Sequence, residues 1–484
     1  MAHIEFIDQT LRDGQQSLWG MRMQAGMALP VTPLIDKTGY RVVDLAGSSL
    51  FEVLIKYCRE DPWAGLDLLI QSMPNSRLRG GMRSNACVTF AVTPDALMDL
   101  WMRRLCAHGI RSVWIYDALY NWDKIARLSK VAKETGTEVA GTIYYGLAPV
   151  YTDEYFGNVA AKMSAIPDVD TVFIYDTCGC LRPERVGSLV AAVKANSRGK
   201  PIEIISHNIT GQGAQVYLEA IKHGVNIIHT AIRPLANGTS IPSTEIMLHN
   251  ISHLGHTSNL DKSLLAPVAE HFERIAKTYG FITGTPNEYD LFAFEHQVPG
   301  GMTGTFKNQL AQHGMADRLD DVLRETAVVR KELGYPGMIT PFSQLVGTLA
   351  VLNIVTGKRY SVIPEEVIKY AVGHYGTPVS PIEPDIMDRI AAAPQYKEIL
   401  AHPPENPTLE ELRKRNGGVD DDELLLRALV PPHDIQAMRD AGPVRLDFPT
   451  LSSPELDFAR QLMEISSSKH LQIKSAEMSI ELSR

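Results

Sequence analysis

Charged and hydrogen-bonding residues recur at the ends of short apolar runs through the first half of the chain. Arg12, Asp13 and Gln16 follow the first run, Ser48 and Ser49 the second, Asp117 and Asn121 the fourth, and Tyr175 and Asp176 close the sixth. His207 and Asn208 end the seventh, Asn237, Thr239 and Ser240 follow the eighth, and Arg83 stands at the start of the third. Brought to one place, such groups are costly to strip of water without a purpose, and together they are the inventory of a small-molecule enzyme site. Any one of them could instead cap the helix that follows it; the whole set is much harder to explain that way.

Other chemical signals are weaker. Cys178-Gly179-Cys180 places two thiols with one residue between them, but no suitably spaced His or Cys pair follows to complete a soft-metal site. They read as buried small residues at a turn. His296, His313 and the pair His253/His256 read as structural or solvent-facing. No GxxxxGK[ST] loop occurs, and Gly211-Gln212-Gly213 lacks the third glycine of a dinucleotide fingerprint.

The elements that must position these residues are strand-like runs at Ile4–Thr10, Val42–Gly47, Arg83–Val88, Ser112–Ala118, Glu138–Gly146, Thr171–Thr177, Ile202–Asn208 and Ile227–Ile232. Between them lie amphipathic stretches such as Asp95–His108, Ala126–Thr135, Pro183–Ala195 and Ala214–His223. Strands alternating with helices in this way predict an α/β fold, a (β/α)8 TIM barrel over residues 1–285, with a doubly wound sheet as the alternative. In such a barrel chemistry sits at the carboxyl ends of the strands, where the polar residues fall. A mainly helical C-terminal domain is expected over 286–400, with a nearly uncharged stretch at Pro341–Val355 that reads as a buried helix or an interface. A linker and small helical segment follow at 401–450, then a helix-strand appendage at 451–484, with a helix at Asp457–Ile465 and short runs at His470–Lys474 and Met478–Leu482.

Composition excludes several classes of function. The 484 residues are 44% hydrophobic and 21% charged, which rules out disorder as the main character. With 47 Lys and Arg against 56 Asp and Glu the net charge is −9, which argues against a nucleic-acid or anionic-membrane surface. The opening MAHIEFIDQT lacks a basic region followed by an apolar run, so no signal peptide is expected, and the longest apolar run, Leu345–Val355, is too short to cross a bilayer. Five cysteines without framework spacing point to a reducing cytoplasm.

A more specific signal is the segment Asp8-Gln9-Thr10-Leu11-Arg12-Asp13-Gly14-Gln15-Gln16-Ser17-Leu18. Asp61-Pro62-Trp63, Arg83 with Pro94-Asp95, Asp117-Ala118-Leu119 and Gly238-Thr239-Ser240-Ile241-Pro242-Ser243 follow in order. Pro299-Gly300-Gly301-Met302, Leu333-Gly334-Tyr335-Pro336, and Thr340-Pro341 through Ser343-Gln344 to Asn353 complete the series. This series resembles the carboxyltransferase domain shared by pyruvate carboxylase, the oxaloacetate decarboxylase alpha subunit and the transcarboxylase large subunit.

The resemblance implies a biotin-dependent carboxyltransferase that passes a carboxyl group between biotin and a small 2-oxo acid or related carbonyl substrate. It implies that Arg12 and Arg83 grip the substrate carboxylate and the enolate oxygen, that Gln16 adds a hydrogen bond, that Thr239 carries the proton between substrate and biotin, and that Ser240 lies on the cofactor side. Family members hold a divalent metal (zinc, manganese or cobalt) through an Asp, a carbamylated Lys and two His. Here Asp13 and His207 match two of these ligands, while Ile205 and Tyr175 stand at the other two positions. The metal site is therefore incomplete: Tyr175 is expected to hydrogen-bond the enolate oxygen in place of the metal, with ligation of a metal as phenolate the alternative.

No Met-Lys-Met biotin acceptor occurs, so biotin is expected on a separate carrier protein, with a biotin carboxylase subunit as a further partner and a homodimer within the complex. The tail resembles the helix and strand pair before a biotinyl domain and stops short of one. Two other functions compete on the same residues: a metal-independent decarboxylase or lyase, and a non-catalytic assembly subunit.

Overall fold

The computed structural model describes residues 1–450, 458–459, 461–463, 469–474 and 479–483. Eight parallel strands close into a barrel in sequence order: β1 Glu5–Asp8, β2 Val42–Gly47, β3 Leu78–Arg83, β4 Ser112–Tyr116, β5 Glu138–Tyr144, β6 Thr171–Asp176, β7 Ile202–Ser206 and β8 Ile227–Thr230. Closure is made by β1 on β8, with Glu5 opposite Ile227 and Asp8 opposite Thr230. Helices including Asp95–His108, Trp122–Glu134, Pro183–Asn196 and Gly213–Lys222 return the chain between strands.

The third strand differs from its expected position. It runs over Leu78–Arg83 and ends at Arg83, whereas the apolar pattern predicts Arg83–Val88. Gly80 and Gly81 hide it, because glycine carries neither the branching nor the apolar surface that marks a strand. The close packing requires Gly81: a Cβ there would sit 2.1 Å from the Trp114 ring.

Four ionisable side chains of the strands, Asp44, Arg79, Glu203 and His229, are joined through hydrogen bonds inside the barrel. Arg79 donates to both oxygens of Glu203, at 2.7 and 3.1 Å, and neither side chain is exposed to solvent. Thr171 Oγ1 and His229 Nε2 complete the shell of Glu203, at 2.9 and 3.2 Å. Gln9 Nε2 then reaches His229 Nδ1 at 2.9 Å and Asp44 Oδ2 at 3.0 Å. A polar column thus rises from the barrel interior toward the mouth.

The helical region is tied to the loops at that mouth. Gln297 exchanges two hydrogen bonds with the backbone of Leu147, at 2.8 and 3.0 Å, and the Met338 N–H donates to Tyr144 Oη at 2.8 Å. The apolar stretch forms the buried helix Phe342–Thr356. Further on, helices Leu409–Arg415, Asp421–Leu429 and Pro432–Asp440 lie on the barrel exterior. Asp422 bridges Arg104 and His108 there, at 2.6 and 3.1 Å, and Asp434 meets Arg59 at 3.0 Å. At the tail, His470–Lys474 and Ser479–Ser483 form an antiparallel pair, and residues 458–459 and 461–463 are helical. The rest of the expected helix Asp457–Ile465, and Met478, lie outside the described residues. Among the described residues, no helix is long and apolar enough to cross a membrane.

Breaking a fully buried ion pair from one side leaves a charge without water or partner. Glu203→Gln is therefore expected to lower the unfolding free energy by about 3–5 kcal/mol, measured by urea denaturation. The double replacement Arg79→Met/Glu203→Leu is expected to be distinctly less destabilising, because both charges leave together.

Candidate functional site

Directly after β1 the chain makes one π-helical turn, Thr10–Gly14, all of it buried. Asp8 organises its start, accepting from the Thr10 hydroxyl at 2.6 Å and from the Thr10 N–H at 3.3 Å. Gly14 lets the turn press against the loop after β8: a Cβ there would lie 2.7 Å from the Leu235 carbonyl oxygen. Wide π-helical turns recur at functional positions, and this one carries Arg12 and Asp13 side by side.

Asp13 is the junction of the site. Its Oδ1 accepts from Arg12 Nη1 at 2.7 Å, and its Oδ2 lies 3.0 Å from His207 Nε2. Tyr175 Oη stands 3.4 Å from both Asp13 Oδ1 and Arg12 Nη1. His207 Nδ1 meets the Thr239 carbonyl at 2.8 Å, so that nitrogen carries a proton and Nε2 faces the carboxylate. The latter two atoms are close but poorly aligned for a hydrogen bond, leaving Asp13 Oδ2 and His207 Nε2 without one. Charge is what holds them together.

The titration of these groups follows from that arrangement. Burial would raise the Asp13 pKa, but His207 and Arg12 outweigh it and bring it down to about 2. Burial would lower the His207 pKa, and the Asp13 charge reverses this and raises it. Tyr175 is pushed well above the ordinary phenol range, mainly by burial and then by the Asp13 charge, so it stays a neutral donor.

Arg12 is held from its other side by Trp114, whose ring centre lies 4.6 Å from the guanidinium carbon. Trp114 packs edge-on to Tyr175, and Phe173 stacks between Tyr175 and His229 at 5.3 and 4.4 Å. Tyr116 stacks on Trp114 at 5.2 Å and feels the charge of both Arg83 and Arg12.

The structure thus brings together Arg12, Asp13, Tyr175, His207 and, through its carbonyl, Thr239. The other candidates are differently engaged. Arg83 donates to the carbonyls of Ala86, Cys87 and Thr89 and to the Ser49 hydroxyl, and so shapes the loop that follows it. The Thr239 hydroxyl donates to the Ser17 carbonyl at 2.9 Å. Gln16 is half-buried in the short helix Gln15–Trp19. Ser240 is fully buried and its hydroxyl donates to the Leu235 carbonyl at 2.8 Å. Asn121, Asn208 and Asp176 serve local structure: Asn121 and Asn208 accept from Lys124 N and Gly213 N, and Asp176 from the backbone of Cys180 and Leu181. Cys178 is buried, donating to the Gln297 carbonyl.

The donor set does not fit a divalent ion. Asp13 and His207 offer two ligand atoms, Ile205 is a fully buried hydrocarbon, and the Tyr175 phenol is held neutral. Among the described residues no group of three His, Cys, Asp or Glu side chains is placed to hold a metal. Two protein ligands hold a hard ion weakly.

Beside the mouth, a cavity of about 690 Å³ lies between the loop after β3 and the helical region, lined by residues that include Phe90, Met302, Leu345, Tyr375 and Ile399. Phe90 lies over the Arg83 guanidinium at 5.4 Å. The helix that carries Met302 opens at Gly300, where a Cβ would fall 2.3 Å from Thr239 Cβ, so its first turn lies against Thr239.

The imidazolium of His207 depends on Asp13. Because the His207 pKa is raised in the folded protein, the charge pair is complete at low pH and is lost as pH rises through that value. Carbon-detected NMR of the histidine rings should show His207 titrating above the ordinary histidine range. Asp13→Asn should move it down, below that range, because burial alone then acts on it.

Comparison with known proteins agrees with this architecture. Residues 293–445 match the model of a conserved carboxylase domain. A pyruvate carboxylase subunit of Methanocaldococcus jannaschii is 32% identical over 443 residues, covering 90% of this chain and 78% of that protein. The 2-oxoglutarate carboxylase large subunit of Hydrogenobacter thermophilus is 30% identical over 433 residues, covering 88% and 66%. The methylmalonyl-CoA carboxyltransferase 5S subunit of Propionibacterium freudenreichii is 29% identical over 394 residues, covering 81% and 77%. The carboxyl transferase domain of Rhizobium etli pyruvate carboxylase, solved with pyruvate and biocytin, shares the fold at a TM-score of 0.83 and 20% identity, over 99% of this chain and 84% of that one. The chain belongs to the carboxyltransferase subunits of biotin-dependent carboxylases, the pyruvate carboxylase type.

Proposed function

We propose that this subunit transfers a carboxyl group between carboxybiotin on a separate carrier and a small 2-oxo acid or related carbonyl compound, and that it stabilises the acceptor's enolate with its own side chains. The observation that carries the reading is the Arg12–Asp13–Tyr175–His207 cluster, which gathers a guanidinium, an imidazole whose protonated form Asp13 favours, and a neutral hydroxyl donor in a mouth whose ligand set among the described residues is too small for a metal. Relatives whose names specify pyruvate and 2-oxoglutarate motivate the 2-oxo acid class.

In this mechanism Arg12 binds the acceptor's negative charge with its planar fork. Tyr175 donates to the oxygen on which charge develops as the adjacent carbon loses its proton. His207, whose protonated form Asp13 favours, adds positive field without leaving its place. The Thr239 hydroxyl passes the abstracted proton to the biotin nitrogen as the carboxyl group leaves that nitrogen for carbon. The loop that Arg83 shapes forms one wall of the cavity through Phe90, Ala91 and Val92, by which the biotinyl arm enters, and Gln16 and Ser240 support the adjoining turns. Without a Lewis acid, acceptors with more acidic carbon or nitrogen than pyruvate suit the site better. The partners are a biotin carboxyl carrier and a biotin carboxylase subunit; the chain works as a homodimer in the cytoplasm.

The test uses the full chain with biotinylated carrier and a panel of acceptors: pyruvate, 2-oxoglutarate, oxaloacetate and more acidic carbonyl compounds. Carrier-dependent exchange of labelled carboxyl groups is expected with at least one of them. Removal of a single oxyanion donor costs about 10²–10³ in kcat, so Tyr175→Phe should fall by that order, with no recovery on adding zinc, manganese or cobalt. Metal rescue of the wild-type or variant rate would overturn the metal-free reading, and a carrier-independent reaction would overturn the carboxyl transfer.

A further inference from the structure

Beneath Arg12 lies a carboxylate that the mechanism above does not use. Asp44 is fully buried on β2, beside the shift of register between Asp44 and Ala46 in the β2–β3 pairing. A bulge of this kind re-aims the side chain next to it. Asp44 Oδ2 accepts from Trp114 Nε1 at 2.8 Å and from Gln9 Nε2 at 3.0 Å, while Oδ1 has no hydrogen-bond partner. Trp114 is in turn pinned by Gly81 behind it and carries the Arg12 guanidinium 4.6 Å from its centre.

We propose that Asp44 is the positioning residue for Arg12, acting through the Trp114 indole. An indole that donates its N–H to a carboxylate gains electron density over the ring, and a cation seated on that face is held more firmly. The carboxylate also supplies long-range negative charge that keeps a buried guanidinium in place. Orientation matters because a misplacement of about 1 Å costs on the order of 10²-fold in rate. This inference rests on the reading that Arg12 binds the acceptor.

The groups that act on Asp44 come from several elements. Arg12 follows β1, Arg79 lies on β3, Asp8 lies at the end of β1, and His229 on β8 is linked through Gln9. Burial pushes the Asp44 pKa up to about 6, against the pull of Arg12 and then Arg79. Its ionised form, the one that polarises Trp114, is present above that pH and lost below it.

Asp44→Asn is a mild replacement. The Asn oxygen can still accept from Trp114 and Gln9, and its amide can donate to Gln9 Oε1, which now has no partner. The experiment combines two readouts on the full chain. The first is the indole N–H resonance of Trp114, assigned by its loss in Trp114→Phe and followed through a pH titration. It should titrate near pH 6 in the wild type and not in Asp44→Asn, and Arg12→Met should move the midpoint upward by removing the cation that favours the carboxylate. A resonance that is flat through this range, or a midpoint indifferent to Arg12→Met, overturns the proposal.

The second readout is carrier-dependent exchange of labelled carboxyl groups with the most active acceptor of the panel above. Asp44→Asn and Trp114→Phe should each lower kcat/KM by about 100-fold, and the double variant should be no slower than the slower single one, because both act through one contact. Multiplying losses would overturn it. Full activity of Asp44→Asn beside an inactive Arg12→Ala overturns this inference alone; full activity of Arg12→Ala overturns the role given to Arg12 in the proposed function.

Discussion

One carboxylate shared by a guanidinium and an imidazole, all three withdrawn from water, governs the barrel mouth. Asp13 touches Arg12 at 2.7 Å and His207 at 3.0 Å, and each contact alters the others. A buried anion is tolerable only beside compensating charge, and a buried imidazole keeps its proton only beside an anion. Asp13 thus favours the protonated form of His207 and holds the Arg12 guanidinium on its other oxygen, so positive charge is favoured in a place that water does not reach. The neutral Tyr175 hydroxyl completes the site, since burial and the neighbouring Asp13 charge keep its proton on the oxygen.

The barrel beneath is built to keep this arrangement rigid. Aromatic rings run from His229 through Phe173 to Tyr175 and across to Trp114, while hydrogen bonds run from Glu203 through His229 and Gln9 to Asp44. The first chain passes through Tyr175 to Trp114 and the second ends on Asp44, so the two meet behind Arg12, at the indole that Asp44 holds. The buried Arg79–Glu203 pair contributes little net stability relative to hydrocarbon of the same size. Its value is geometric: paired charges permit only narrow alternatives, and they fix the strands from which the column rises.

Much of this is legible in the residues and some is not. Strands rich in β-branched residues and helices with periodic apolar positions, such as Asp95–His108, are found where those patterns lie, because local preference and burial agree there. The third strand escapes because its purpose conflicts with its propensity: Gly80 and Gly81 admit Trp114 at the expense of strand character. The motif around Arg12 and Asp13 draws attention to the mouth, and the structure places His207 and Tyr175 beside it. Asp44, Arg79, Glu203 and His229 are hidden within apolar strands, although an isolated charge inside such a run is itself a signal that something within the barrel answers it. Trp114 cannot be recognised as a platform at all, because a tryptophan in a strand looks like core until its partners are known.

The substitution of hydrocarbon and phenol for metal ligands alters what the mouth can do as well as what it can bind. A divalent ion pulls electron density strongly and from one point, whereas in the proposed mechanism Arg12 and Tyr175 share the task through hydrogen bonds of fixed direction and His207 adds charge. Such a site favours an acceptor whose developing charge is already partly delocalised, because the stabilisation each donor supplies is modest and depends on orientation. That dependence is why the support of Arg12 from behind carries more weight here than it would beside a metal. A cation held only by Asp13 could swing with it; one held between Asp13 and the face of Trp114, with Asp44 on the far edge of the indole, has its plane set before the acceptor arrives.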